Sequence, residues 1–448
     1  MVGHVTETSS RLDPRTVPRG RLIDRLGRRR PDISIVALVD GPVGERLVTL
    51  RAAANDCPQG GQFILARCAG AELSVGHAAG LCRAGSETLV EFANRAAGPA
   101  VGRLLVLLPP GTGECAGLRQ LLDRFAAETW LGAVDPGGRG DPLSGLVTSE
   151  SLWTALGGLE TSYLQWDWAI RDYCRRARAI GYSAPVWSPG AESDSPDARL
   201  FAERAALAPD RSAAVLPAAP RRIGRFTVYT AITDRYDTLK PQPAAALEGC
   251  EQLAFLDQAT ASAQSGRSRG WQIAVGEFPA GDPHRAARFA KINAHLVLPD
   301  SEYSLWIDAS IGVACPFPLG RLAELFLVDS DLCLFRHHAR RSIYEEAAVC
   351  RDHRLDRPEV IDAQVARYRA EGLPEEAGLV EAPVILRRHT GAVRAFNEAW
   401  WSELVRGSRR DQLSFNYVAW KLGLSHAQFP LTLATRNGLF VKFLRKGE

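Results

Sequence analysis

The sequence has little that would place it outside the cytoplasm. Nine cysteines are scattered from Cys57 to Cys350, with no Cys-x-x-Cys pair. An odd, dispersed set argues against a disulfide framework or a zinc ribbon and fits a reducing compartment. No apolar run approaches the roughly 20 residues that a membrane span needs. The N-terminus also lacks the apolar core of a secretion signal. The expectation is a cytoplasmic protein with no membrane span. Charge of one sign is scarce too, since the net charge is only +3. That excess gives no reason to expect nucleic acid as a partner. A Gly-rich phosphate loop is also missing after the apolar stretch Phe226 to Ile232, where the chain reads Thr233-Asp234-Arg235-Tyr236. This counts against a nucleotidyltransferase.

A chain of 448 residues is long for one core, and two or three domains are expected. Residues 1–30 are polar and Arg-rich and read as a flexible basic tail. A first domain is placed at 31–191, a Pro-rich linker at 192–222 and a second domain at 223–448. In the first domain, Ile33 to Val39, Gln62 to Ala66 and Arg103 to Leu108 read as buried strands, with a helix over Thr88 to Ala97. Strands alternating with helices imply a mostly parallel α/β sheet.

Asn94-Arg95-Ala96-Ala97, Leu107-Leu108-Pro109-Pro110-Gly111-Thr112, Leu156-Gly157-Gly158-Leu159-Glu160 and the stretch from Asp172 to Tyr182 occur in one order. Together they resemble the family-two glycosyltransferases, whose nucleotide-sugar-binding domain has the GT-A fold. The resemblance places that family's metal-binding Asp on Gly111 and its base-supplying Glu-Asp pair on Ala169-Ile170. Such a domain would lack metal and base. It is expected to be a degenerate module for packing, acceptor positioning or homodimerisation, with Asp167 and Asp172 as nearby carboxylates.

In the second domain, three apolar strands end at or near an Asp: Phe226 to Ile232 before Asp234, Gln252 to Leu256 before Asp257, and Ser304 to Ile307 before Asp308. Ligands of open α/β sheets bind beyond the carboxyl ends of strands, and a carboxylate there suits a hard divalent cation. A helix is predicted over Asp282 to Leu296, with Phe289, Ile292 and Leu296 as its buried stripe. Arg288, Lys291 and His295 form an adjacent stripe that suits a phosphate. His337-His338 does not have the geometry of a zinc site. His338 and Arg341 instead suit anions or hydroxyls, with Glu346 as an ion-pair partner. Glu381 and Arg388 flank another strand. Phe396 and Trp400 read as core, and Trp401 as a sugar-stacking platform. Asp411 reads as a capping residue at a helix start, where reaction charge would develop.

Tyr229-Thr230-Ala231-Ile232 with Tyr236-Asp237, Arg288-x-x-Lys291-x-x-x-His295, Trp306-Ile307-Asp308, Tyr344-x-Glu346-Ala347 and Arg410-Asp411-Gln412-Leu413-Ser414-Phe415 also occur in one order. This set resembles the glycosyltransferase domain of the plant mucilage and pectin-synthesis proteins and of many bacterial proteins. The resemblance implies two GT-A-like domains in tandem, the second of them active. It implies transfer of a hexosyl or uronosyl group from a UDP-sugar to a saccharide or glycoconjugate, with Mn²⁺ or Mg²⁺. Asp411, Arg410 and Gln412 would be catalytic, and Asp308 would bind the metal, with His426 as a second ligand. Thr230, Ala231, Tyr236, Asp237, Asp257, Arg288, Lys291 and His295 would bind the donor. His338, Arg341, Glu346, Glu381, Arg388 and Trp401 would face the acceptor or sugar. The alternative is a non-catalytic carbohydrate-binding scaffold built from two decayed transferase domains.

Overall fold

The computed structural model describes residues 31–39, 61–68, 81–84, 86–110, 118–128, 131–134, 145–186, 195–212, 224–264, 268–276, 283–435 and 437–443. The basic tail, Gly111, Asp282 and parts of the stretch 192–222 lie outside them. The described residues fall into two compact units, within 1–153 plus 158–171 and within 154–157 plus 172–448. Both are mixed α/β, with sheets that are mainly parallel.

The first unit is built on Ile33–Val39 (β1), Gly61–Arg67 (β2), Leu81–Cys82 (β3), Leu104–Leu108 (β4), Ala133–Val134 (β5) and Leu146–Ser149 (β6). Every residue of β1 is buried, as a strand paired on both sides and covered on both faces must be. The sheet order is β3-β2-β1-β4-β6-β5. The first four strands are parallel and β6 runs antiparallel to β4. The Asn94 and Gly157-Gly158 motifs form a structural clasp. The Asn94 amide donates to the Leu159 carbonyl at 2.8 Å and accepts from its N–H at 2.8 Å. Gly158 has φ +77°, and a Cβ there would stand 2.5 Å from Asn94 Oδ1.

The division between units falls inside the helix Trp166–Ala179, rather than in the Pro-rich stretch that composition suggests. A buried ion cluster lies just beyond this division, within the second unit. Asp172 is fully buried and accepts from Arg175 at 2.5 Å and Arg176 at 2.7 Å. Arg176 also donates to the Leu156 carbonyl at 2.6 Å. Asp172 is therefore a structural carboxylate, and Ala169 and Ile170 are equally buried.

The second unit contains Phe226–Ile232 (β7), Cys250–Leu256 (β8), Gln272–Val275 (β9), Tyr303–Ile307 (β10), Ile311–Val313 (β11), Leu332–Arg336 (β12), Val380–Arg388 (β13), Ala427–Gln428 (β14) and Phe440–Lys442 (β15). Its main sheet has the order β14-β12-β13-β10-β7-β8-β9. Strands β9, β8, β7 and β10 are parallel, and β13 is antiparallel to β10. Taken in chain order, the parallel strands of each unit are arranged third, second, first, fourth, with an antiparallel strand next. The main core of this unit holds Trp400, Phe396, Phe415 and Tyr368, which agrees with the core reading of Phe396 and Trp400.

The helix expected up to Leu296 breaks early. It runs Pro283–Ile292 and stops at Asn293, whose backbone (φ −90°, ψ 46°) is not helical. A short turn, Ala294–Val297, follows. Ile292 stays buried, but the break leaves Leu296 58% exposed.

Candidate active site

Parallel pairing brings the carboxyl ends of β7, β8 and β10 to one edge of the sheet. A cavity of about 520 Å³ opens there. Among its lining residues are Ala231, Tyr236, Asp237, Arg288, Lys291, Asp308, Arg410, Asp411 and Gln412. Nine of the residues singled out from sequence thus converge, although they come from four separate segments.

The centre of the site is an ion cluster. Lys291 Nζ donates to Asp411 Oδ2 at 2.5 Å and stands 3.8 Å from Asp308 Oδ1. Arg288 Nε lies 3.6 Å from Asp411 Oδ1. Lys291 and Asp411 are both buried. Burial by itself would raise the Asp411 pKa. The charges of Lys291 and Arg288 outweigh that and hold the carboxyl well below the usual carboxylate range. Asp411 occupies the N-cap position of the helix Gln412–Leu422, yet its side chain makes no capping bond. The capping expectation is therefore corrected, because Lys291 has taken the carboxylate. Asp308 is oriented from beneath, with the Trp306 indole Nε1–H donating to its Oδ1 at 2.7 Å.

The Lys291 helix is fixed from below by Arg387, which is fully buried. Its guanidinium donates to the Lys291 carbonyl at 3.0 Å and to the Tyr229 hydroxyl at 2.9 Å. A cation at a helix C-terminus is favourable, so this contact sets the height of Lys291 in the cavity. Opposite, Arg410 stands 3.6 Å from the buried Glu346, which accepts from Arg340 at 2.5 Å. Glu346 thus has an ion-pair role, but its partners are Arg340 and Arg410, not Arg341.

Other predicted residues lie elsewhere. Asp257 caps the helix Gln258–Ala263 through Thr260 N and accepts from Asp234 N at 2.7 Å. It therefore shapes the loop after β7, where Asp234 and Arg235 both have positive φ. Thr230 is buried within β7. His295 follows the break at Asn293 and faces Asn397 at 3.4 Å and Glu398 at 3.6 Å. Arg388 pairs in register with Tyr303, at the start of β10, and binds Asp331 at 2.9 Å. The antiparallel course of β13 carries it to the sheet edge opposite Asp308. His338 bonds Glu381 at 3.3 Å and stacks on His337. Trp401 stands edge-on to Phe289 at 5.2 Å, which makes it a packing residue. Arg341 donates through its backbone to Glu345.

His426 lies against Phe415 and does not line the cavity, so the structure does not bring it to Asp308 as a second metal ligand. Among the described residues no three His, Cys, Asp or Glu side chains cluster as metal ligands. Asp308 has one oxygen bonded to Trp306 and the Lys291 ammonium between it and the next carboxylate, Asp411. This donor set does not fit the resident Mn²⁺ or Mg²⁺ that the resemblance implies.

Sequence reading missed the far wall, where Arg354, Leu355 and Arg409 line the cavity. Arg354 has φ 51°, and Arg409 donates to the Leu355 carbonyl at 3.2 Å. The only signal was an Arg-Arg pair just before Asp411.

Residues 222–442 match the TOD1/MUCI70, glycosyltransferase-like domain family. The matched segment is just under half of the chain. "Probable hexosyltransferase MUCI70" of Arabidopsis thaliana is 30% identical over 221 residues, covering 44% of this chain and 37% of that protein. The chain therefore spans little more than a third of this relative. A crystal structure of an active-site mutant of LgtC aligns with 43% of this chain and 70% of its own, at 15% identity and a TM-score of 0.24. That score is too low to bear on the fold. The matched segment of the TOD1/MUCI70 family contains the whole cavity. No helix among the described residues is long and apolar enough to cross a membrane.

Proposed function

We propose that the C-terminal unit is a GT-A-type glycosyltransferase, moving a hexosyl or uronosyl group from a UDP-sugar to a hydroxyl of a saccharide or glycoconjugate. The observation that carries this reading is the buried Asp411–Lys291 pair beside Asp308, in a cavity at the carboxyl edge of parallel strands. The family match and the relative's name support it. Tyr236, 65% exposed beside His284 at the cavity rim, is suited to stack on the nucleotide base. Arg288 and Lys291 are suited to the diphosphate.

A carboxylate held below its usual range is a weak base, and general bases work best with a pKa near the operating pH. Asp411 is therefore read as a fixed negative charge that stabilises positive charge on the reacting sugar. Arg354 and Arg409 add two guanidinium groups to the far wall of the cavity. The first unit's repeat of the third, second, first, fourth strand arrangement supports reading it as a second, GT-A-like domain. Incubating the full chain with UDP-sugars and measuring released UDP tests the proposal. Release that depends on Asp411 supports it, and no release from any donor would refute it.

A further inference from the structure

We propose that the cavity binds its nucleoside diphosphate through side-chain cations, with Lys291 filling the place between Asp411 and Asp308 that a divalent metal would need. This inference rests on the transferase reading above and sharpens how that site handles charge. Three observations converge on it.

The first is position. Lys291 Nζ lies 2.5 Å from one carboxylate and 3.8 Å from the other. A metal held by Asp308 on the side facing Asp411 would meet this ammonium. Like charges at such range repel, and Lys291 is itself buried. Lys291 cannot easily withdraw, because its helix is pinned through its own carbonyl by Arg387 and Tyr229.

The second is the donor set. Asp308 Oδ1 is already bonded to the Trp306 N–H. Two residues on, where a second carboxylate would serve a metal, stands Ser310, whose neutral hydroxyl is a poorer donor for a hard cation.

The third is the charge of the wall. Arg288, Lys291, Arg354, Arg409 and Arg410 line the cavity, against the carboxylates of Asp234, Asp237, Asp308 and Asp411. Partners outside the lining hold one group of each sign, Lys240 on Asp237 at 2.8 Å and Glu346 on Arg410 at 3.6 Å. The balance left for a ligand is cationic, which suits a diphosphate. Fork-shaped guanidinium groups bind phosphate oxygens in pairs.

The test is calorimetry of the full chain with UDP, GDP and ADP, in EDTA and again in excess Mn²⁺, together with Mn²⁺ alone followed by electron paramagnetic resonance. The expected result is binding of at least one nucleotide in EDTA, with a Kd within about threefold of that in Mn²⁺. Mn²⁺ alone should stay free in solution. Arg288→Gln should weaken nucleotide binding about tenfold in EDTA. This variant keeps the Lys291–Asp411 pair, so its folding can be checked by circular dichroism, whereas Lys291→Ala leaves a buried carboxylate unpaired. Nucleotide binding that appears only with Mn²⁺ would overturn the inference and leave the transferase reading standing. Wild-type affinity in Arg288→Gln would also overturn it. No binding of any nucleotide under either condition would overturn both.

Discussion

Lys291 and Asp411 stand 120 residues apart in sequence and meet at 2.5 Å in a buried ion pair. Each is costly to bury alone, and removing one partner of such a pair costs about 3–5 kcal/mol. That is a large share of the roughly 5–15 kcal/mol by which a domain is stable. A pair so expensive to keep, lining the cavity, ties the stability of the second unit to the chemistry at its sheet edge.

Asp411→Asn separates these two contributions. The amide keeps the shape and one acceptor but loses the charge. Turnover is expected to fall by about 10²–10³, the cost of losing one preorganised electrostatic contact. Nucleotide affinity should hold or rise, because Lys291 and Arg288 are released from a competing anion. UDP release and calorimetry on the same preparation check this. Equal losses in both would show that the variant damages the site rather than the chemistry.

Arg387→Leu tests the support beneath Lys291. The variant removes a buried cation that holds the Lys291 carbonyl and the Tyr229 hydroxyl. Both acceptors would lose a bond worth about 0.5–1.5 kcal/mol, while Tyr229 still donates to the Lys291 carbonyl at 3.1 Å. The expected outcome is a lower Tm and a reduced kcat, with the second unit still folded by circular dichroism. An unchanged kcat would mean that Arg387 does not set the position of Lys291.

Acid should destabilise the second unit through His337. Burial, and then the charge of Arg340, lower its pKa from 6.5 to about 4. Its Nδ1 accepts from the backbone N–H groups of Ala339 and Arg340, so the folded state needs that nitrogen unprotonated. Between pH 6.5 and 4 the unfolded chain binds a proton that the folded chain does not. Stability is therefore full above about pH 6.5 and is lost as pH falls towards 4. Thermal melts across this range should show the decline, and His337→Asn should reduce it, leaving the share of His389, whose pKa burial also lowers to about 4. A melt independent of pH would contradict the assignment.

Much of what lines the candidate site was legible in the sequence, and the misplacements share a cause. The Trp306-Ile307-Asp308 stretch could be read because an apolar strand ending in Asp has few alternatives. Asp257, expected to bind the donor, caps its helix, and Asp411, expected to cap as well as to act in catalysis, does not cap. Each immediately precedes a helix start, and sequence cannot say which carboxylate turns back to cap and which turns outward. Arg388 was placed at the site because the direction of β13 is not encoded in its own residues. His295 was lost to the break at Asn293, which leaves the spacing of its stripe intact on paper only. The pairing of Lys291 with Asp411 required the tertiary fold.

Gly158→Ala addresses the first unit alone. The residue has φ +77°, and its Cβ would press against Asn94 Oδ1, breaking the clasp to Leu159. A loss of about 1–3 kcal/mol is expected, seen as a lower first transition in thermal unfolding. Nucleotide binding should be unchanged, since every cavity residue lies in the second unit. Loss of binding in a folded variant would place part of the site elsewhere.

The most direct test of the central claim is release of UDP from a panel of UDP-hexoses and UDP-uronic acids by wild type and by Asp411→Asn. The transferase reading predicts release from at least one donor, accelerated by an acceptor saccharide and reduced at least a hundredfold in the variant. Absence of release from every donor, or equal rates for the two proteins, would contradict it.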